Sequence, residues 1–541
     1  MNPAIALALP ADFRRFEHAE VETSLAARFA DTAARYASRI AIEDGETRVT
    51  YADLDRESNR VAHTLLERLG RDREPIVLLY EQGASFHTAQ FGVLKSGKFY
   101  ACLDPELRAE KRIRLLSDLG ARVVLCSAKM EPLAREAIRD FPETILINTQ
   151  DSATLSSTLT RPDIEVGPDH YACVIYTSGS TGSPVGVVTS HRSMLHFAMN
   201  SINSLHIREQ DRASQVCPLS SAAMGGETFP VLLNGATLLP IHVKTRSPKH
   251  LARWLREKKI TMFVAVPTLF RLVAATAEGE GMFPDLRLVR LSGDRILRKD
   301  FELFKRHFPA SCLFRASLGA AEASLYSEFY LHRSCSLERA VVPAGYALQD
   351  MNVFVVDDHL NRLKPGEIGE IAVESRYLSV GYWKNDELTA QRLLDSPSQP
   401  ESKIYLTRDV GYLQEDGCLI HLGRNDSRVK VYGKMVMLTD LEEALLEFPS
   451  IENAIVVPIL NDGADTQLVA YFTAEEGPSL SEETLRRHLL SRFPIEVVPK
   501  KFVQLDELPT TERNKIDRRQ LMYGGRVALQ RPSAGEPGVS P

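Results

Sequence analysis

No run of this 541-residue chain approaches the ~18 consecutive apolar residues that a bilayer crossing needs. The short apolar start, Met1 to Pro10, has no positive flank and is too weak for a secretory signal. No membrane role and a cytoplasmic location are therefore expected. Cysteine is also scarce. The seven residues Cys102, Cys126, Cys173, Cys217, Cys312, Cys335 and Cys418 are odd in number and widely spaced, and none forms a C-x-x-C pair. That argues against a zinc knuckle or a disulfide framework and suits a reducing compartment. A basic excess is missing too. Lys and Arg total 65 against 71 Asp and Glu, a net charge of −6, so neither a nucleic-acid surface nor a polybasic patch is indicated. The common ATPase loop, Gly-x4-Gly-Lys-Ser/Thr, is absent as well: counted from Gly179, the pattern meets Pro184 and Val185.

What remains is the composition of a soluble globular enzyme, 44% hydrophobic and 25% charged, with length enough for more than one domain. Up to about residue 320, apolar strand-like runs alternate with helix-like segments. The run Ile76 to Tyr80, a helix near 85–95, a helix over 107–119 and the strand Val123 to Leu125 set the pattern. It resumes from residue 170, with a helix near 249–258 and a strand at 261–266. Such alternation predicts βαβ units on a parallel sheet, and two doubly wound layers account for it. Thr50 and Asp53 form a candidate capping box. From about 340, short strands (352–356, 369–374, 418–422) between turn clusters predict an antiparallel barrel or small sheet. After Arg424 a smaller α+β unit follows, with helices at 439–448 and 481–492 and strands near 453–459 and 467–473. The tail over 523–541 is rich in Gly, Pro and Ser and is expected to be disordered.

One short run carries the most chemistry. Thr177, Ser178, Gly179, Ser180, Thr181 and Gly182 follow directly on the apolar segment Tyr171 to Ile175. Hydroxyls and unshielded backbone N–H groups on such a loop suit phosphate oxygens. A Ser/Gly linker would read similarly, but a linker has no reason to follow a buried strand, and Pro184 stiffens the exit.

With Tyr176 and Pro184, this run resembles the signature of the adenylate-forming superfamily, which includes peptide-synthetase adenylation domains, acyl-CoA synthetases and luciferases. The signature's lysine is replaced by Val185. Further motifs follow in the family's order, so the resemblance covers about residues 25–522. It implies an α/β N-terminal core over 1–424, made of two doubly wound layers and a small β-barrel-like subdomain from about 340. A small mobile α+β domain over 427–522 would follow. The style is closest to a stand-alone peptide-synthetase adenylation domain, notably over Tyr377 to Trp383.

The resemblance also implies roles. Leu318-Gly319-Ala320-Ala321-Glu322 matches Tyr-Gly-x-Thr-Glu. Glu322 takes the place of the Mg²⁺-binding glutamate, and a carboxylate suits that hard cation. Leu318 and Gly319, with the turn Ser292-Gly293-Asp294, are expected around the adenine. Tyr405-Leu406-Thr407-Arg408-Asp409 matches Tyr-x-Thr-Gly-Asp, so Asp409 is expected on the ribose hydroxyls. Gly423-Arg424-Asn425-Asp426 matches Gly-Arg-x-Asp, giving Arg424 as a second ribose contact and Asp426 as the hinge. Asn514-Lys515-Ile516-Asp517-Arg518 matches Gly-Lys-Val-Asp-Arg, which makes Lys515 the catalytic cation bridging the acid and the α-phosphate. Taken alone, Glu322 would read as a solvated turn acid and Lys515 as a surface lysine in a basic tail.

The substrate pocket departs most from the family. Alignment through Phe229 to Ala236 puts Ala222 where α-amino-acid-activating domains carry an aspartate, with Ser221 and Gly226 also lining the pocket. Without that counter-ion a typical α-ammonium is disfavoured. The implied reaction uses ATP and Mg²⁺ to convert a small-molecule carboxylic acid to an acyl-adenylate, releasing pyrophosphate. The acyl group then passes to a thiol, expected on a carrier protein acting in trans. Coenzyme A or an amine is the alternative acceptor. The alternative of another class is a catalytically degenerate binding subunit, which Val185, Ala321, Arg408 and Asn514 favour.

Overall fold

In a computed structural model, the protein is described over residues 13–178, 184–277, 281–424, 428–431, 434–448, 450–460, 466–474, 480–510, 516–518 and 520–524. Two large sheets dominate. The first has seven strands: Gly381–Tyr382, Pro184–Ser190, Tyr171–Ser178, Phe99–Cys102, Pro75–Leu79, Val123–Cys126 and Ile145–Asn148, in that spatial order. The last five run parallel, while Pro184–Ser190 returns antiparallel beside Tyr171–Ser178. The second sheet has nine strands. Its centre is the parallel set Leu313–Ala320, Leu288–Ser292, Met262–Ala265, Arg212–Gln215 and Thr237–Pro240.

The parallel strands are buried along most of their length, which is why they read as continuous apolar runs rather than alternating ones. The principal core draws on both sheets: Ile76 and Leu78 from one, Ala213, Leu238 and Leu288 from the other. Phe91, Leu195, Met199 and Phe229 come from the helices Ala84–Lys95, His191–Leu205 and Ala223–Leu232 and belong to the same cluster. Each such side chain contributes roughly 1.5–3 kcal/mol on burial.

Thr50 caps the helix Tyr51–Leu69 by accepting from the Asp53 N–H at 3.1 Å. The Asp53 carboxylate turns back to the Thr50 hydroxyl at 2.6 Å. Among the elements with no counterpart in the sequence reading is a hairpin of Ile40–Asp44 and Thr47–Thr50 at the edge of the nine-stranded sheet.

The segment from 352 to 424 forms a five-stranded antiparallel sheet, led by Asn352–Val356, Gly369–Ser375, Lys403–Leu413 and Leu419–Arg424. Beyond it, the helices Leu438–Leu446 and Glu482–Leu490 pack on a three-stranded sheet of Ile451–Leu460, Thr466–Ala474 and Lys501–Gln504. Leu441, Leu445, Val456, Leu485 and Leu489 fill a separate core there.

Candidate active site

The strand Tyr171–Ser178 ends where the phosphate-loop motif begins. Its register places Thr177 opposite Val185 and Ser178 opposite Pro184. The described residues on either side of the motif are therefore paired antiparallel strands, and the element after it is the strand Pro184–Ser190, not a helix. Thr177 and the backbone of Ser178 close the strand, while Gly179, Ser180, Thr181 and Gly182 lie outside the described residues. Behind the loop, the Tyr176 hydroxyl donates to Asp118 at 2.6 Å and ties the strand to the helix Ala109–Leu119.

Glu322 sits in the turn between Leu313–Ala320 and Ser324–Leu331. A bulge at Leu318/Gly319 breaks the register just before it. A Cβ on Gly319 would stand 2.2 Å from the Ser324 carbonyl oxygen, so only glycine permits this crossing. The Glu322 carboxylate accepts from the Tyr382 hydroxyl at 2.7 Å, and its backbone carbonyl accepts from Ser379 N–H at 2.7 Å. Burial and then the Glu322 charge hold the Tyr382 phenol above its ordinary range, so it stays a donor. The carboxylate is thus oriented by a neutral hydroxyl, and its charge is left for a cation. That chemistry fits Mg²⁺.

Asp409 and Arg424 are direct partners across the strands Lys403–Leu413 and Leu419–Arg424, with Nη1 and Oδ1 4.0 Å apart. The Asp409 N–H donates to Thr407 Oγ1 at 3.0 Å. His421, which the motif reading passed over, lies 3.7 Å from the same carboxylate. Arg408 takes the left-handed φ of 60° at the position where the family motif has glycine.

These motifs converge. The buried Tyr326 phenol is raised by burial first, and it also feels the charges of Asp409, Arg424 and Glu322. Glu322 and Asp409, more than eighty positions apart in the chain, thus both act on one phenol, and Tyr326 packs in one core cluster with Ala323 and Tyr405.

Ser292, Gly293 and Asp294 end the strand Leu288–Ser292, next to the strand bearing Leu318 and Gly319. The next residue, Arg295, pairs with Glu442 and Glu443 of the helix Leu438–Leu446, both at 2.8 Å. The turn Ser292-Gly293-Asp294 is therefore joined to the C-terminal unit. Ser221 lines a cavity with Tyr100, Ile175, Ser220, Met224 and Gly225, beside the strand that leads to the phosphate loop. Ala222 is the exposed N-cap of the helix Ala223–Leu232, and Gly226 lies one turn further on. Asp426 and Lys515 lie outside the described residues. Arg518, three positions after Lys515, bonds to Glu442 at 2.9 Å.

Comparison with known proteins decides the family. The profile described as AMP-binding enzyme matches residues 29–383, and that of the AMP-binding enzyme C-terminal domain matches 440–515. This chain belongs to the AMP-binding enzyme family. As an AMP-binding enzyme it is related in sequence to peptide synthetases. It is 28% identical over 529 residues to surfactin synthase subunit 2 of Bacillus subtilis (strain 168), across 96% of this chain and 14% of that protein. It thus spans only a small part of that relative's length. The fold is that of ATP-bound MatB from Rhodopseudomonas palustris, with a TM-score of 0.82, 19% identity, and coverage of 94% of this chain and 100% of that one. A structure described as the anthranilate CoA ligase AuaEII with anthranoyl-AMP gives 0.81 at 21% identity, covering 94% of this AMP-binding enzyme and 98% of that chain. Among the described residues, no helix is long and apolar enough to cross a membrane.

Proposed function

We propose that this protein activates a carboxylic acid with ATP and passes the acyl group to a thiol. A carboxylate oxygen of the acid attacks the α-phosphorus. The bond from that phosphorus to the pyrophosphate oxygen breaks, leaving an acyl-adenylate and free pyrophosphate. The residues divide the work. Thr177 to Gly182 cradle the outer phosphates. Glu322 would hold Mg²⁺, which when bound neutralises phosphate charge. Asp409 and Arg424 fix the ribose, while Ser292 to Asp294, Leu318 and Gly319 border the adenine. Lys515 brings a cation to the two anions that must meet, where electrostatic stabilisation is worth most.

The observation that carries this reading is that Tyr326 packs in one cluster with Leu318, Ala320 and Ala323 beside Glu322 and with Tyr405 of the strand that bears Asp409, while Arg424 stands 4.0 Å from Asp409. A degenerate binding fold has no need to keep a metal-type carboxylate and a ribose-type pair at one place. Rotation of the C-terminal unit about Asp426 would separate adenylation from thioester formation. The preferred acceptor is the phosphopantetheine arm of a carrier protein, in keeping with the peptide-synthetase relatives. Coenzyme A is the competing acceptor, because AuaEII is described as a CoA ligase.

ATP–pyrophosphate exchange over a panel of acids tests the first half-reaction. Exchange is expected with at least one acid and should require Mg²⁺. ATP binding without exchange on any acid would replace this reading with that of a binding subunit. Trapping the product with coenzyme A or with a carrier protein then identifies the acceptor.

A further inference from the structure

The strand Leu288–Ser292 is apolar and buried except that it carries Arg290 at its centre. Arg290 is only 2% exposed, yet among the described residues its guanidinium makes no hydrogen bond and no ion pair. A guanidinium has five N–H donors and no acceptor, so leaving it unanswered in the interior is costly. Its neighbour Arg315 is equally buried but is paired with Glu328. The nearest carboxylate to Arg290 is Glu227, which is not within ion-pair distance. Glu227 Oε2 is already committed to the N–H groups of Val216 at 3.0 Å and Cys217 at 3.2 Å.

Arg290 borders a small cavity with Ser201, Ser214, Gly226 and Glu227. Ser201 Oγ is buried there and also has no partner. A Cβ on Gly226 would stand 3.4 Å from Arg290 Nη2 and 2.7 Å from Phe197 Cζ. The missing side chain therefore lets the guanidinium reach the helix Ala223–Leu232. Gly226 lies four residues beyond Ala222 on that helix, about 6 Å along its axis and on the same face. At the mouth of this face an alanine stands where an ammonium-binding carboxylate is expected. One turn deeper stands a buried cation with no hydrogen-bond partner among the described residues, which feels the Glu227 carboxylate only from beyond ion-pair distance. The charge pattern is the reverse of one built for an α-amino acid.

We propose that Arg290 and Ser201 bind an anionic group at the far end of the substrate, so that the acid activated is a dicarboxylic acid reacting at one end only. This inference rests on the acid activation proposed above. The distal carboxylate accepts from the guanidinium in charge-assisted bonds and from the Ser201 hydroxyl. It stays ionised while the near carboxylate takes the adenylyl group. Phe197 closes the Gly226 wall of the cavity.

The test compares straight-chain α,ω-diacids from succinate to suberate with their monomethyl esters and with monoacids of equal length, by pyrophosphate exchange on the full chain. A diacid should exceed its own ester by at least about tenfold in kcat/KM, which corresponds to about 1.4 kcal/mol. In Arg290→Met that preference should vanish, with esters and monoacids gaining. Arg290→Met should also melt no lower than the wild type, since removing an unpaired buried charge relieves its desolvation. A lower melting temperature with unchanged diacid preference would make Arg290 structural and overturn the inference. Exchange with monoacids and esters equal to diacids in the wild type would also overturn it, while leaving acid activation standing. So would full monoacid exchange brought about by added acetate or chloride, since Arg290 would then hold a free anion. Failure of every acid to exchange would remove acid activation, and this inference with it.

Discussion

Glu322 depends on Gly319. The strand and its return cross so closely at the bulge that a single methyl group on Gly319 meets a carbonyl oxygen at 2.2 Å. Gly319→Ala must therefore displace the turn over 320–323 that aims the carboxylate. We expect a stability loss of about 1–3 kcal/mol and a marked fall in pyrophosphate exchange. Parallel measurement of unfolding and exchange checks this, and unchanged exchange would show that Glu322 is not held through Gly319. At this scale the motifs exposed Glu322, Asp409 and Arg424, because each is spelled by neighbouring residues. Tyr382 and His421 were not legible in that way. They reach the site by cross-strand and inter-sheet contact, which local sequence does not encode. Arg290 did leave a signal, a lone charge inside an apolar parallel strand.

The element that joins the two parts of the chain is the helix Leu438–Leu446. Its fully buried Glu442 pairs with Arg295 beside the turn Ser292-Gly293-Asp294 and with Arg518 beyond Lys515, and it accepts from the Val456 N–H at 2.9 Å. Removing one partner of a buried pair costs ~3–5 kcal/mol. Arg518 is about one third exposed, so that figure is an upper bound here. Glu442→Ala should lower the melting temperature and quicken proteolysis between residues 425 and 440. Equal proteolysis rates in the two proteins would refute this coupling. Most elements were legible from period and punctuation: the helix expected near 85–95 spans Ala84–Lys95, and that near 249–258 spans Pro248–Glu257. The hairpin over 40–50 was missed although Asp44-Gly45 marks its turn, with Gly45 at a φ of 61°. Its strands are short, and Thr47–Thr50 is polar and partly exposed, so no strong apolar run announced them.

Across the whole molecule, folding buries neutral imidazoles that acid must disturb. His191 Nδ1 accepts from the Leu25 N–H at 3.1 Å, which requires the uncharged ring. Burial holds its pKa down at about 3, against 6.5 ordinarily. The unfolded chain takes up a proton as pH falls through 6.5 while the folded chain does not. The stability present above pH 6.5 is therefore lost progressively toward pH 3, at up to ~1.4 kcal/mol per unit from this group. His87 and His196 are also buried and shifted down, and steepen the decline. Urea midpoints between pH 7.5 and 5.5 should fall, and fall less steeply in His191→Gln. Identical slopes would remove His191 from the account. The layered α/β architecture itself was readable because each sheet strand is a local apolar run. That Ile40–Asp44 joins the far sheet, beside Thr237–Pro240, was not, because such a pairing has a sequence separation near two hundred residues.

The most direct measurement is the rate of ATP–pyrophosphate exchange in the wild type and in Lys515→Ala, with the best acid from the panel. Acid-dependent exchange in the wild type, falling by roughly 100-fold or more in the variant, is the expected result. Undiminished exchange in Lys515→Ala, or wild-type exchange that no acid stimulates, would contradict the assignment.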